Sequence, residues 1–163
     1  MKYCGWLLLF LLMASSGLAA EDISLPAPEG PIEVTSLQME SDQQSGRVFF
    51  SGQVVGKRGD MTIYADALTL FFVEIDGNRK LERLDAEGNV RVVEGERVAT
   101  AQKLEFLQAA EKMTLTGDAE VHQGKNLVAG DEIILFIRED RSLVKSGKDG
   151  RVRAVFLPTQ EKL

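Results

Sequence analysis

The chain has 163 residues and a formal net charge of −6, with 25 acidic residues against 19 lysines and arginines. This acidic balance argues against a nucleic-acid partner and against adhesion to anionic membrane surfaces. The length suits one domain with a substantial core. The only cysteine is Cys4, so a chain that loses its first 20 residues can form no disulfide and no cysteine-bound metal site.

The start of the chain has the pattern of a secretory signal peptide. Lys2 precedes an apolar run from Trp6 to Met13, and small residues follow up to the polar pair Glu21-Asp22. The apolar run is shorter than the roughly 20 residues of a membrane-spanning helix. We therefore expect export, with an uncleaved N-terminal anchor as the alternative interpretation.

These features divide the chain into four predicted parts. They are a cleaved signal peptide at 1–20, a flexible linker at 21–30, a folded domain at 31–158 and a C-terminal tail at 159–163. No segment after the signal peptide has a convincing helical periodicity, so we predict an all-β domain.

Three segments of the predicted domain share one spacing of small residues. Each copy has a first glycine, a second glycine seven residues later, and another small residue six residues after that. These positions are Gly52, Gly59 and Ala65 in the first copy, Gly88, Gly95 and Ala101 in the second, and Gly117, Gly124 and Gly130 in the third. Matching apolar residues flank them, and we therefore predict a repeat architecture.

Each repeat predicts two β-strands. Alternating apolar and polar residues indicate the strands, and the second glycine predicts a tight turn between them. After the third small residue the apolar positions change parity, which predicts a bulge or a corner where the strand crosses between sheets. The first glycine has the parity of a core residue, which leaves two interpretations: a bend in the strand, or space for a ligand. Asp76-Gly77-Asn78 predicts a hairpin that extends the first repeat.

Half repeats flank the full ones. The segment from Ile32 to Met39 matches the second half of a repeat, and the segment from Arg151 to Phe156 predicts a last strand. Each terminal strand should therefore have an unpaired edge, which can join another molecule by strand addition. The predicted edge residues are Ile32, Val34, Val152 and Val155.

Residues with catalytic chemistry are few. The only histidine, His122, lies on a predicted strand beside a turn, where a solvated surface position explains it. Asp66 and Asp131 occupy the same repeat position and have the residue type of an acid–base pair. A short polar side chain that hydrogen-bonds the backbone at each corner is the simpler account. We therefore predict no enzyme activity, no metal site and no cofactor.

The sequence resembles a known family in four stretches. They read "PIEVTSLQMESD", "GRVFFSGQVVGKRGDMTIYADALTLFF", "LTGDAEVHQGKNLVAGDEIILFI" and "GRVRAVFLP". These resemble the LptA family of lipopolysaccharide-transport proteins, also called the OstA-like N-terminal domain family, over roughly residues 31–158. The element from Gly59 to Phe71 carries the most specific match, and the second copy departs from it at Glu96 and Gln102.

The resemblance implies a twisted, slightly open β-jellyroll of stacked antiparallel strands in the periplasm. It implies an apolar groove for the acyl chains of lipid A, the membrane anchor of lipopolysaccharide. It also implies head-to-tail self-assembly into a bridge, and two partners: an anchored inner-membrane component and an outer-membrane barrel component. Since the anchored, LptC-like component has the same fold and also begins with a hydrophobic segment, it remains an alternative. A structural β-repeat protein without a ligand and a carbohydrate-active β-helix enzyme are further alternatives.

Strand parity predicts which residues line the groove. The hypothetical lipid-binding set is Phe50, Ile63, Leu68, Leu70, Leu84, Val90, Leu104, Phe106, Met113, Leu115, Ile133 and Leu135.

Overall fold

The computed structural model describes residues 30–147 and 150–157. The predicted signal peptide, residues 21–29 of the predicted linker, and the predicted tail lie outside the described residues. The described residues form ten β-strands and no helix that could cross a membrane. The strands are β1 (Glu33–Thr35), β2 (Gln38–Asp42), β3 (Arg47–Arg58), β4 (Met61–Ile75), β5 (Asn78–Glu94), β6 (Arg97–Leu107), β7 (Lys112–Gln123), β8 (Asn126–Phe136), β9 (Arg141–Lys145) and β10 (Arg153–Val155).

All neighbouring strands pair antiparallel. The order is β1-β3-β4-β5-β6-β7-β8-β10, with β2 also pairing with β3 and β9 also pairing with β8. The sheet does not close on itself, because the terminal strands β1 and β10 pair with β3 and β8 and not with each other. The predicted all-β jellyroll of stacked antiparallel strands is confirmed.

Each long strand is interrupted once by a corner. The register shifts between Ser51 and Val54 in β3, between Glu87 and Val90 in β5, and between Thr116 and Ala119 in β7. Each shift skips two residues, the first of which is the first glycine of the repeat. On the partner strands β4, β6 and β8 a single residue, Asp66, Gln102 or Asp131, stands opposite each skipped pair, and the predicted change of parity after Ala65, Ala101 and Gly130 falls at that residue. Each corner is therefore a β-bulge.

The corner glycines serve the bend and not a ligand. Gly88 has a φ of 77°, a left-handed conformation that favours glycine. A Cβ atom there would lie 2.9 Å from Cβ of Asp66 on β4, so the position has no space for a side chain. At Gly117 the corresponding atom would lie 2.8 Å from Cβ of Gln102 on β6. The interpretation that these glycines leave interior space is wrong, because the neighbouring corner already fills it.

The corners divide the strands into two facing layers. Layer one consists of β2, residues 47–51, 67–75, 78–87, 103–107, 112–116 and 132–136, and β9. Layer two consists of β1, residues 54–58, 61–65, 90–94, 97–101, 119–123 and 126–130, and β10.

The two layers pack their apolar faces against each other. A Cβ atom built on Gly56 of layer two would lie 3.6 Å from Cδ1 of Leu68 in layer one, which is ordinary van der Waals contact. Arg58 Nη1 also donates a hydrogen bond of 3.3 Å to Gln108 Oε1 across the side away from the corners. We call this side the mouth. The core lies between the layers and contains buried residues from both.

Tight turns join the strands at the predicted positions. Gly59, Gly95 and Gly124 all have φ values between 56° and 58°. Asp76 and Gly77 also have positive φ values, 52° and 72°, and join the extended ends of β4 and β5. Two successive left-handed residues match the twist of a two-residue hairpin, which explains the Asp-Gly pair.

Candidate functional site

The interior contains all twelve residues of the hypothetical lipid-binding set. Eleven of them are buried core residues with at most 8% exposure, and Leu135 is partly buried against the same core. In this structure they pack against one another, because the two layers meet at van der Waals distance. The remaining space between the layers lies in two clefts near the ends of the stack.

The first end has a narrow apolar cleft beneath β1, which we call the N-terminal cleft. Ile32 and Val34 cover it, and side chains from both layers line it, including Ile63, Leu84 and Phe106. Its volume is about 30 Å³, which is room for roughly one water-sized group. This end is almost closed.

The second end has a wider cleft between β8, β9 and β10, which we call the C-terminal cleft. Ile133, Leu135 and Val144 form part of its apolar wall, and Arg97 and Arg141 stand among the polar residues that line it. Its volume is about 260 Å³, close to the lower limit of about 300 Å³ for small-molecule sites. The two ends thus differ in both size and polarity.

The predicted edge residues fall into two groups. Ile32 and Val34 are partly buried against the core at the β1 end. Val152 and Val155, at the β10 end, are 45% and 37% exposed. Val152 lies one residue before β10 begins, and by strand alternation it faces the opposite side from Val155. The four residues therefore do not form one continuous apolar face.

Each end of the stack has an edge in both layers. At the first end, β1 and β2 pair with the two halves of β3, and at the second end, β9 and β10 pair with the two halves of β8. Strand β9 was not predicted, although Leu143 and Val144 of "RSLVK" are a weak signal for a strand. Among the residues that the structure describes, nine large apolar residues are exposed, and seven of them lie on or beside these edges. They are Leu37, Met39, Leu143, Val152, Val155, Phe156 and Leu157. Such clustering is typical of an interaction surface.

The candidate catalytic residues do not assemble into a site. Asp66 and Asp131 lie on β4 and β8, four strand spacings apart, which is about 19 Å and too far for a shared proton transfer. Asp66 Oδ2 accepts a 2.9 Å hydrogen bond from Asn89 Nδ2, and Asp131 accepts one from the N–H of Gly147. His122 is exposed and lies 3.3 Å from Glu120. The aspartates therefore connect neighbouring corners.

One carboxylate on the outer face of layer one is electrostatically unfavourable. Asp85 lies 3.2 Å from Arg83 Nη2, yet its Oδ1 atom is buried without a hydrogen-bond partner among the described residues. Burial raises the pKa of the Asp85 carboxyl above its ordinary value of 3.8, although Arg83 opposes the rise. The negative charge of Glu105, directly opposite on β6, raises the pKa of Asp85 further.

Replacing Asp85 with asparagine is expected to stabilise the protein at neutral pH. Folding raises the pKa of this carboxyl, so its protonated form stabilises the folded protein below pH 3.8. This contribution is lost as the pH rises through the folded-state pKa. The Asp85→Asn variant avoids this loss, so its free energy of unfolding should exceed that of the wild type at pH 7 by less than about 1 kcal/mol. The difference should shrink as the pH falls towards 3.8. Urea titrations at several pH values measure it, with Glu74→Gln as the exposed control. A wild type more stable than the variant at pH 7 would contradict this account.

The fold and its ends define a class of protein. A β-repeat chain with an apolar interior, a cleft at each end and unpaired edges in both layers is suited to bind an apolar ligand and to join other chains. The family model of the LptA/(LptD N-terminal domain) LPS transport proteins matches residues 33–141. The chain belongs to this family.

Similar individual proteins agree with this assignment. The chain is 31% identical to the lipopolysaccharide export system protein LptA of Escherichia coli (strain K12), over 92% of this chain and 85% of that protein. The identity and both coverages are the same for LptA of Shigella flexneri. The crystal structure of LptH from Pseudomonas aeruginosa superposes with a TM-score of 0.70 at 18% identity, and covers 80% of this chain and 98% of that one. That likeness supports the fold.

Proposed function

We propose that this chain is a periplasmic lipopolysaccharide carrier and a subunit of a bridge between the inner and outer membranes. The observation that carries the proposal is an apolar interior between two layers, with a cleft near each end of the stack. The family assignment supports it. The similar protein from Escherichia coli is a lipopolysaccharide export protein, and LptH is a periplasmic component of a lipopolysaccharide transport device. The role is non-enzymatic, and export depends on the predicted signal peptide at 1–20.

The acyl chains of lipid A are the part of lipopolysaccharide that suits this interior. Each buried methylene group contributes about 0.8 kcal/mol on transfer from water, and the interior offers apolar side chains along its full length. The clefts are too small for several acyl chains, so the lipid must move the layers apart. The mouth is the natural line of separation, because the layers are continuous through the corners on the opposite side.

Assembly follows from the edges. The two ends of the stack carry different strands, so a contact between β1/β2 of one copy and β9/β10 of the next is heterologous and does not close. Stacked copies would place the N-terminal cleft of one beside the C-terminal cleft of the next and extend the apolar interior. The same edges suit partners with this fold, and we propose the anchored inner-membrane component and the outer-membrane barrel component as the two terminal partners.

Photo-crosslinking tests the lipid-binding proposal. A photoreactive amino acid in place of Phe106 or Leu135, which line the two clefts, should capture lipopolysaccharide in cells. The neighbouring residues Glu105 and Ile134 have opposite parity and face outwards, so the same amino acid at these positions is the matched control. Cells supply the lipid and the partner proteins, and immunoblots with lipopolysaccharide antibodies report the adducts.

The comparison between faces decides the outcome. Capture at Phe106 and Leu135 with little at Glu105 and Ile134 supports an interior lipid site. Equal capture on both faces would contradict it. No capture at any position would favour a structural β-repeat protein without a ligand.

A further inference from the structure

The inward face of layer one contains a row of cross-strand neighbours that is apolar from end to end. It begins at Met39 on β2 and ends at Val144 on β9. The six residues between them are all buried core residues: Phe50, Leu68, Ala86, Leu104, Leu115 and Ile133. Met39 is 64% exposed, because no strand formed by the described residues lies beyond it in layer one. The row is therefore interrupted only where the molecule ends.

The outward face of layer one contains a second row, with opposite charges at its two ends. It begins at Asp42 on β2 and ends at Arg141 on β9. The residues between them alternate cations with apolar residues: Arg47, Phe71, Arg83, Leu107, Lys112 and Phe136. The guanidinium of Arg83 lies 4.0 Å from the ring centroid of Phe71, and that of Arg141 lies 3.9 Å from that of Phe136. Arg47, Arg83 and Lys112 each have an apolar cross-strand neighbour on the next strand towards β9. Arg141 has no such neighbour because the layer ends at β9.

We propose that β9 of one copy pairs antiparallel with β2 of the next in the register that places Met39 opposite Val144 and Asp42 opposite Arg141. This inference rests on the proposed head-to-tail assembly and adds its register. Strands in layer one alternate in direction from β2 to β9, so β2 and β9 run in opposite directions. Two copies in the same orientation therefore meet as an antiparallel pair, and both rows continue across the junction.

Neighbouring registers are less favourable. A slip by one residue turns every inward side chain outwards. A slip by two residues keeps the faces correct but places Met39 opposite Ser142 or Ser146. Only the proposed register places an apolar side chain, that of Val144, opposite the exposed Met39. Glu40 would meet a cation in either slipped register, so the apolar row, and not charge alone, selects the register.

Local hydrogen bonds hold the two charged groups at the ends of this row. Asp42 Oδ2 accepts a 2.8 Å hydrogen bond from the Ser45 hydroxyl, and its Oδ1 accepts a 2.9 Å hydrogen bond from the Gln44 N–H. These bonds lower the pKa of the Asp42 carboxyl and fix it at the end of β2. Arg141 donates from Nε to Glu139 at 3.0 Å, and its two Nη atoms carry further donors. A head-to-head contact would bring together two β2 strands that each contain Glu40 and Asp42 and no cation, which favours the head-to-tail polarity.

Disulfide formation between edge cysteines tests the register. In a chain with Cys4→Ser, one preparation carries Met39→Cys and another carries Val144→Cys. Mild oxidation of the mixture should give a disulfide-linked heterodimer on non-reducing gels. Met39→Cys mixed with Ser142→Cys, and Ser41→Cys mixed with Val144→Cys, are matched controls on the same face of the same strands. They should react at least about tenfold more slowly, because diagonal neighbours are about 7–8 Å apart and a disulfide spans less than about 7 Å.

Each outcome has a distinct meaning. Faster linkage of a slipped pair would overturn the register and leave head-to-tail assembly intact. Linkage of Met39→Cys with itself would overturn the polarity. If no pair forms a disulfide while the wild-type chain still assembles, the contact lies elsewhere and this proposal fails. If no pair forms one and the wild-type chain sediments as a monomer, the assembly in the proposed function fails with it.

A charge exchange provides an independent measurement. Arg141→Asp places a carboxylate opposite Asp42 and should weaken association several-fold. The double variant Asp42→Arg with Arg141→Asp restores opposite charges and should recover most of the loss. Neither variant has Arg141 over the Phe136 ring, so recovery reports the charge pair and not the stacking. A double variant that associates no better than Arg141→Asp would contradict the pairing, provided that both melt at the wild-type temperature.

Discussion

Alanine at Gly88 is expected to lower the free energy of unfolding by about 2–5 kcal/mol, the sum of the costs of a left-handed backbone conformation and of an overpacked contact. Gly88 has a φ of 77°, and its new Cβ atom would lie 2.9 Å from Cβ of Asp66. Asp66 cannot move freely, because its carboxylate accepts a hydrogen bond from Asn89 in the same corner. The substitution should therefore disturb the register between β4 and β5.

Gly77 is the matched control for this prediction. Its φ is 72°, nearly that of Gly88, but a Cβ atom there would have no other atom within 4 Å. The Gly77→Ala variant should lose only the cost of the backbone conformation, about 1–2 kcal/mol. Chemical denaturation of both variants separates the two terms. Equal losses at the two positions would contradict the conclusion that the corners pack tightly.

Proline at Ala154 is expected to shift the protein towards monomer without unfolding it. Leu157 donates its N–H to Asn126 Oδ1 on the β8 side, so by alternation the N–H of Ala154 points away from β8, to the open edge. Proline removes that donor, and its ring obstructs an incoming strand. A lost hydrogen bond contributes about 0.5–1.5 kcal/mol, and with the obstruction association should weaken at least about tenfold. Sedimentation velocity over a range of concentrations measures the shift.

Two controls make the proline result interpretable. Ala154→Ser has a similar size and keeps the N–H, so it should assemble as the wild type does. Val155→Pro removes a donor that points towards β8, so it should loosen β10 and lower the melting temperature. An Ala154→Pro variant that assembles normally would show that the β10 edge takes no part in the contact. The junction would then lie on β2 and β9 alone, or the copies would assemble through a surface other than the strand edges.

The repeat made most of the fold predictable. Glycine spacing and alternating parity give the strands, the turns at Gly59, Gly95 and Gly124, and the change of parity at each corner. These features are local, and each one depends on the conformational preference of one or two residues. The role of Gly88 could not be decided in the same way. Its parity suits both a bend and an empty space, and only its contact with Asp66, on another strand, distinguishes them.

The ends of the stack were harder to predict than its middle. Strand β9 has five residues and β10 has three, too few for alternation to identify either with certainty. The predicted edge set therefore included Val152 and Val155, which face opposite sides, and omitted Met39, whose role depends on its neighbour Phe50 in β3. The interior residues were recognisable by parity, but the sizes of the two clefts depend on how closely the layers pack, which a single sequence does not specify.

Native mass spectrometry of the protein purified from the periplasm is the most direct test of the proposed carrier and bridge role, because it reports processing, ligand and assembly together. We expect a chain that begins near Ala20 or Glu21, species heavier by the mass of lipopolysaccharide, and a ladder of oligomers that grows with concentration. A chain that carries no lipid and remains monomeric at every concentration would show that the protein is neither a lipid carrier nor a bridge subunit.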